Sequence, residues 1–134
     1  CRDACGDGVL MKVILETGGL DDAGLIEQAS RDAISAGADF LKTSTGKLNP
    51  AATLEAAAIM MAVIRDCGRP VGFKAAGGIR DTAGAAGYLH LANALLGPGW
   101  ATPATFRFGA SGLLDALLAD LGQNTTGQKP SGGY

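Results

Sequence analysis

Three observations in the sequence predict an α/β fold of parallel strands and crossover helices. Four short apolar runs, several rich in branched or aromatic residues, recur along the 134 residues, and each has the length of a strand. Between them lie helix-length stretches that open on a capping residue and mostly close at a glycine. The runs are largely apolar, as buried strands of a parallel sheet are. Composition agrees: 47% of residues are hydrophobic and 18% charged, which is globular and not disordered. The net charge of -2 comes with no basic block, so nothing points to a nucleic-acid partner. No apolar run approaches the roughly 20 residues of a membrane span, so no membrane partner is expected.

The first run, Val9 to Thr17, reads as a buried strand broken by Gly18-Gly19. Asp21 or Asp22 caps a helix to about Ala36, with Leu25, Ile26, Ala29, Ala33 and Ile34 on one face and Gly37 after its end. Ala38 to Ser44 is the second strand, followed by the loop Thr45 to Pro50. Thr53 caps the next helix, whose Leu54, Ala57, Ala58, Met61 and Ile64 form an apolar face ending near Gly68. Its methionines are read as core filler. Pro70 to Lys74 is the third strand and runs into Ala75-Ala76-Gly77-Gly78. Asp81 caps a helix to about Leu96, weakened by Gly84 and Gly87. His90 lies on it with no acid or nucleophile near in sequence, and is expected on the helix surface or in packing. Thr105 to Phe108 is the fourth strand, and Ser111 is expected to cap a last helix, Gly112 to Leu121.

Four βα units make half of a TIM (βα)8 barrel, although they can also close as a small, open doubly wound sheet. Residues 1–122 form the expected domain, and 123–134 a polar, glycine-rich, flexible tail. The opening Cys1-Arg2-Asp3-Ala4-Cys5 reads as the end of a helix already under way, so the chain is expected to be a fragment or processed half. Three cysteines without zinc spacing suggest reduced thiols and a cytoplasmic protein, and a single histidine gives a metal site little to use.

Two lysines stand where lysine is unusual. Lys42 and Lys74 each end an apolar strand, and lysine is rarely buried without a partner or a purpose. In a barrel the C-terminal strand ends form the active-site mouth. Two ammonium groups in one partly desolvated pocket disfavour charging both, which leaves one amine partly neutral and nucleophilic. A lone lysine would more simply snorkel to water, but two at matching strand ends beside glycine loops favour chemistry. Lys12 is a third, embedded in Leu10-Met11-Lys12-Val13-Ile14. The glycine loops Gly77-Gly78-Ile79-Arg80 and Gly109-Ala110-Ser111-Gly112 follow successive strands, and such loops with a helix N-terminus suit a phosphate. Arg80 and Lys47 are available to it.

These motifs resemble those of the deoxyribose-phosphate aldolases. Phe40 to Lys47 (FLKTSTGK) is similar to the family's Schiff-base motif, and Val71 to Arg80 (VGFKAAGGIR) to its second lysine motif. Leu10 to Thr17 and Phe106 to Ser111 resemble its fifth and eighth strands, and Ser131-Gly132-Gly133-Tyr134 its tail. The resemblance spans almost the whole chain but about half the family's usual length. It implies that Lys42 forms the imine, that Lys74 lowers its pKa and joins proton relay, and that Lys12 belongs to the surrounding polar network. It also implies that Tyr134 reaches into the site. Gly46, Lys47, Gly77, Gly78, Arg80, Gly109, Ser111 and Gly112 would line the phosphate pocket. The implied reaction is reversible cleavage of 2-deoxy-D-ribose 5-phosphate to acetaldehyde and D-glyceraldehyde 3-phosphate, without metal or other cofactor. Two departures stand out. Ala75 replaces a common proline, and the family's catalytic aspartate, on an earlier strand, has no counterpart among these residues. Two other functions fit: a non-catalytic half-barrel that binds phosphate or pairs with a complementary chain, and a different Schiff-base lyase. The expected partners are a small phosphorylated sugar and either a second copy or an N-terminal half.

Overall fold

The computed structural model describes residues 1–122; Tyr134 and the rest of the tail expected over 123–134 lie outside the described residues. A short helix α1 (Arg2–Cys5) precedes strand β1 (Lys12–Ile14), helix α2 (Ala23–Ser35), strand β2 (Phe40–Lys42) and helix α3 (Leu54–Asp66). Strand β3 (Gly72–Ala76), helix α4 (Thr82–Leu96), strand β4 (Phe106–Gly109) and helix α5 (Leu113–Asp120) complete the described chain. The helix starts follow the predicted chemistry. Asp22 accepts from Leu25 N at 3.1 Å, Thr53 from Ala56 N at 3.1 Å and Asp81 from Gly84 N at 2.7 Å, each satisfying an amide the helix leaves unpaired. The last helix departs from expectation. Its N-cap is Gly112, with no side-chain cap, so Ser111 does not play that part.

The four strands are parallel in the order β1-β2-β3-β4. This order settles the choice the sequence left open. A doubly wound sheet reverses direction and puts helices on both faces, whereas sequential order with crossovers of one hand puts every helix on one face. Accordingly α2 packs on α3, α3 on α4 and α4 on α5. The arrangement is that of a partial barrel wall, α/β with its helices outside.

Strand alternation then divides the side chains. Leu41 and Phe73, both 0% exposed, join Ala75 and Phe106 in the core beneath the helices, with Met60, Met61, Val63 and Ile64 of α3. Phe73 and Phe106 pack across β3 and β4 as tilted rings with centroids 5.7 Å apart. The first strand is shorter than its apolar run: Val9 and Leu10 are exposed, because pairing with β2 begins only at Lys12 opposite Phe40. Leu25 is likewise exposed, leaving Ile26, Ala33 and Ile34 to bury α2. At the N-terminal end of the sheet Arg2 donates to Gly37 O (2.8 Å) and Val9 O (2.9 Å) and pairs with Asp39, whose carboxylate also accepts from Met11 N at 2.7 Å. That amide and the Arg2 guanidinium hold the Asp39 carboxyl below its ordinary pKa. In barrels this end serves stability rather than catalysis.

Candidate active site

The face of the sheet turned away from the helices carries the cations. Register places Lys42 of β2 directly opposite Lys74 of β3, and Lys74 opposite Arg107 of β4. Neighbouring strands lie about 4.8 Å apart, so side chains in one such row are neighbours. In the row below, Lys12, Phe40 and Gly72 face one another. Gly72 is required there: a Cβ would meet the Phe40 ring at 2.4 Å, so the ring lies across the glycine. Phe40 is consequently buried, and both Lys12 Nζ (5.0 Å from the centroid) and Arg107 Cζ (5.2 Å) lie over it. Gly109 does the same for Lys74, whose Cε would lie 2.8 Å from an added Cβ.

Four cations thus share one face of the sheet. The Lys74 amine is pushed below the ordinary lysine value, first by partial burial and then by the charges of Lys42 and Arg107. Lys12 is lowered in the same sense by burial, then by Lys74, Arg107 and Lys42. Both shifts favour the neutral amine, the form that adds to a carbonyl or takes up a proton. Lys42→Met removes the stronger of the two charges acting on Lys74, so the Lys74 amine should titrate at higher pH in that variant. The displacement should exceed that in Arg107→Met. A side-chain NMR titration measures both, and equal titrations in wild type and Lys42→Met would refute the coupling.

At the C-terminal ends of the strands the predicted loop residues come together. Thr43 Oγ1 accepts from Ala76 N (3.0 Å) and donates to Ala76 O (3.1 Å), stitching the β2 exit to β3. Gly77 packs backbone to backbone on the next loop: a Cβ there would meet Gly46 Cα at 3.0 Å and Ala51 Cβ at 2.6 Å. Gly77 and Gly78 have φ of +92° and +81°, which other residues rarely adopt. Gly112 lies beside Arg80 O, with an added Cβ 3.9 Å away. Gly46, Lys47, Gly77, Gly78, Arg80, Ser111 and Gly112 therefore occupy three adjoining loops at one end of the sheet, and Gly109 is the last residue of β4 beside them. The uncapped start of α5 leaves amides free to meet an anion. His90 is exposed on α4, as expected of a surface residue.

Two contributors escaped the sequence reading. Arg107 alternates with the core residues Phe106 and Phe108, and that alternation is a signal that it faces the lysines. Glu16 joins the loops after β1 and β2 through Thr45; it adopts φ 55°, which nothing in its type announces. Among the described residues no group of His, Cys, Asp or Glu is arranged to hold a metal ion, and no helix is long and apolar enough to cross a membrane.

Solved structures share this fold. Two crystal structures of candidate deoxyribose-phosphate aldolases from Toxoplasma gondii ME49 are similar to the chain. The first, an apo form, has a TM-score of 0.80 at 28% identity, covering 90% of this chain and 48% of that one. The second has a TM-score of 0.79 at 26% identity, covering 94% and 51%. A structure described as QR15, an aldolase, matches with a TM-score of 0.61 at 32% identity over 82% of this chain and 44% of its own. The chain thus spans about half the length of these relatives. The family model for DeoC/LacD family aldolases matches residues 1–97, a stretch that holds Lys12, Lys42, Lys74 and two of the three loops. On that match the chain belongs to the DeoC/LacD aldolase family.

Proposed function

We propose that the chain carries the Schiff-base machinery of an aldolase that reversibly cleaves 2-deoxy-D-ribose 5-phosphate to acetaldehyde and D-glyceraldehyde 3-phosphate, in cytoplasmic breakdown of deoxyribonucleotide sugars. The supporting observation is the facing pair Lys42 and Lys74 beside three glycine-bearing loops. In this reading the Lys42 amine adds to the aldehyde carbon and loses water to give an imine. Loss of the proton from the 3-hydroxyl then breaks the C2–C3 bond, and the electron pair moves into the iminium to leave an enamine. D-Glyceraldehyde 3-phosphate departs, C2 takes up a proton, and water releases acetaldehyde and the free amine. Lys74, whose pKa is lowered by burial and then by the charges of Lys42 and Arg107, relays protons with the polar network around Lys12. The three loops and the start of α5 bind the phosphate. Tyr134 is assigned to the site by resemblance alone. Borohydride reduction in the presence of acetaldehyde should add an ethyl group to Lys42, read by peptide mass. A chain that is never labelled supports the non-catalytic reading, and labelling with turnover only of other sugars supports a different lyase.

The geometry also favours a partner. Among the described residues β1 and β4 are unpaired on their outer edges, Ile14 is 42% exposed, and the cation-bearing face has no helices over it. Open edges and an uncovered face promote association. The isolated chain is therefore proposed to self-associate or to act with complementary strands, with weak or no turnover alone. Light scattering and a retro-aldol assay check this: a monodisperse, fully active monomer would sink it.

A further inference from the structure

Glu16 sits where the β1 and β2 chains leave the sheet, in a left-handed conformation (φ 55°, ψ 57°). It is the one non-glycine residue with positive φ among the described residues. Such strain persists only where surrounding contacts over-determine it. The hydrogen bonds on either side show why it arises. Leu15 N donates to Lys42 O at 3.0 Å, but Thr17 N donates to Thr43 O at 2.9 Å. The first chain advances two residues while the second advances one, so Glu16 is the extra residue of a bulge, a device that re-aims a side chain. The Glu16 carboxylate is aimed at the next loop. Its two oxygens accept from Thr45 N at 3.2 and 3.1 Å, and one also accepts from the Thr45 hydroxyl. Thr45 Oγ1 in turn accepts from Lys47 N at 3.2 Å. Beyond it, Gly46 (φ +86°) lies against Gly77.

From this relay we infer that Glu16 is a positioning residue: it fixes the Thr45–Gly46–Lys47 turn against Gly77 and so shapes the phosphate side of the site without touching the substrate. The inference rests on the phosphate pocket proposed above. A carboxylate near an anion site repels the anion, so its presence there makes sense only if the turn it holds is worth more than the repulsion. The two effects separate on substitution. Glu16→Gly removes the backbone strain together with the clamp, because glycine adopts this conformation without penalty. Glu16→Gln keeps an oxygen that accepts from Thr45 N and removes the charge.

The test is a titration of the 15N-labelled chain with inorganic phosphate, following the amides of Gly46, Lys47, Gly78 and Leu113, together with thermal melting. Glu16→Gly should melt no lower than wild type yet bind phosphate about tenfold more weakly. Glu16→Gln should stay within about threefold of wild type or bind more tightly. Wild-type phosphate affinity in Glu16→Gly overturns the inference. So does a lower melting temperature accompanying the loss, a Glu16→Gln as weak as Glu16→Gly, or a wild-type chain whose amides do not respond to phosphate. Acetaldehyde trapping on the same samples judges the aldolase reading separately. Unlabelled Lys42 with the phosphate series as expected rejects that reading and leaves the role of Glu16 standing.

Discussion

Lys42→Ala is expected to abolish borohydride-dependent labelling by acetaldehyde, because it removes the amine that the sheet sets opposite Lys74 at the mouth. Three lysines occupy this face, so the variant also tests which of them is the nucleophile. Lys12 is one row deeper, with its Nζ over the Phe40 ring, and is less well placed to meet a carbonyl entering from the loops. Lys74 is the harder competitor, since partial burial and its neighbours favour its neutral form. The Lys74→Leu variant decides between them. If Lys74 acts in proton transfer and not as the nucleophile, Lys74→Leu should still be labelled, although turnover falls. Labelling that survives Lys42→Ala and disappears in Lys74→Leu would reassign the nucleophile to Lys74.

The largest effect on stability is expected at Phe73. Its ring is 0% exposed, lies in the third of four strands and packs on Phe106. Phe73→Ala deletes a fully buried aromatic ring from a layer held rigid by α3 and α4, and such deletions cost about 3–5 kcal/mol. Small domains are stable by only about 5–15 kcal/mol, so the variant should lose much of its cooperative transition. Urea unfolding followed by circular dichroism measures the loss. Lys42→Ala, which removes a side chain from the opposite, open face, should shift the midpoint far less. A Phe73→Ala midpoint close to that of wild type would show that β3 is not the centre of the core, and would undermine the placement of Lys74 on the same strand.

The local signals were legible because they are short-range. Asp22, Thr53 and Asp81 cap the helices the sequence assigns to them, since a capping side chain reaches an amide only three residues ahead. Lys42 ends its apolar strand as expected, whereas Lys74, expected to end the third strand, lies in the middle of β3, because pairing with β4 continues to Ala76 opposite Gly109. The Ser111 cap failed because the chain turns through Gly112 before the helix begins. The first strand shrank to Lys12–Ile14 because Val9 and Leu10 lie before the pairing with β2 begins, and because the irregular pairing at Glu16 interrupts the ladder after Ile14.

By itself, then, the sequence determined the alternation of strand and helix, the presence of a lysine in each of two apolar strands and the glycine loops, all encoded in residues adjacent in the chain. Only the tertiary structure decided that the strands run in sequential order, which puts every helix on one face and rules out a doubly wound sheet. It also decided that Lys42 faces Lys74, that Arg107 joins them, and that Glu16 reaches Thr45. These depend on strand register and on a bulge, which are set by pairing between segments some thirty residues apart and leave no mark on either segment alone.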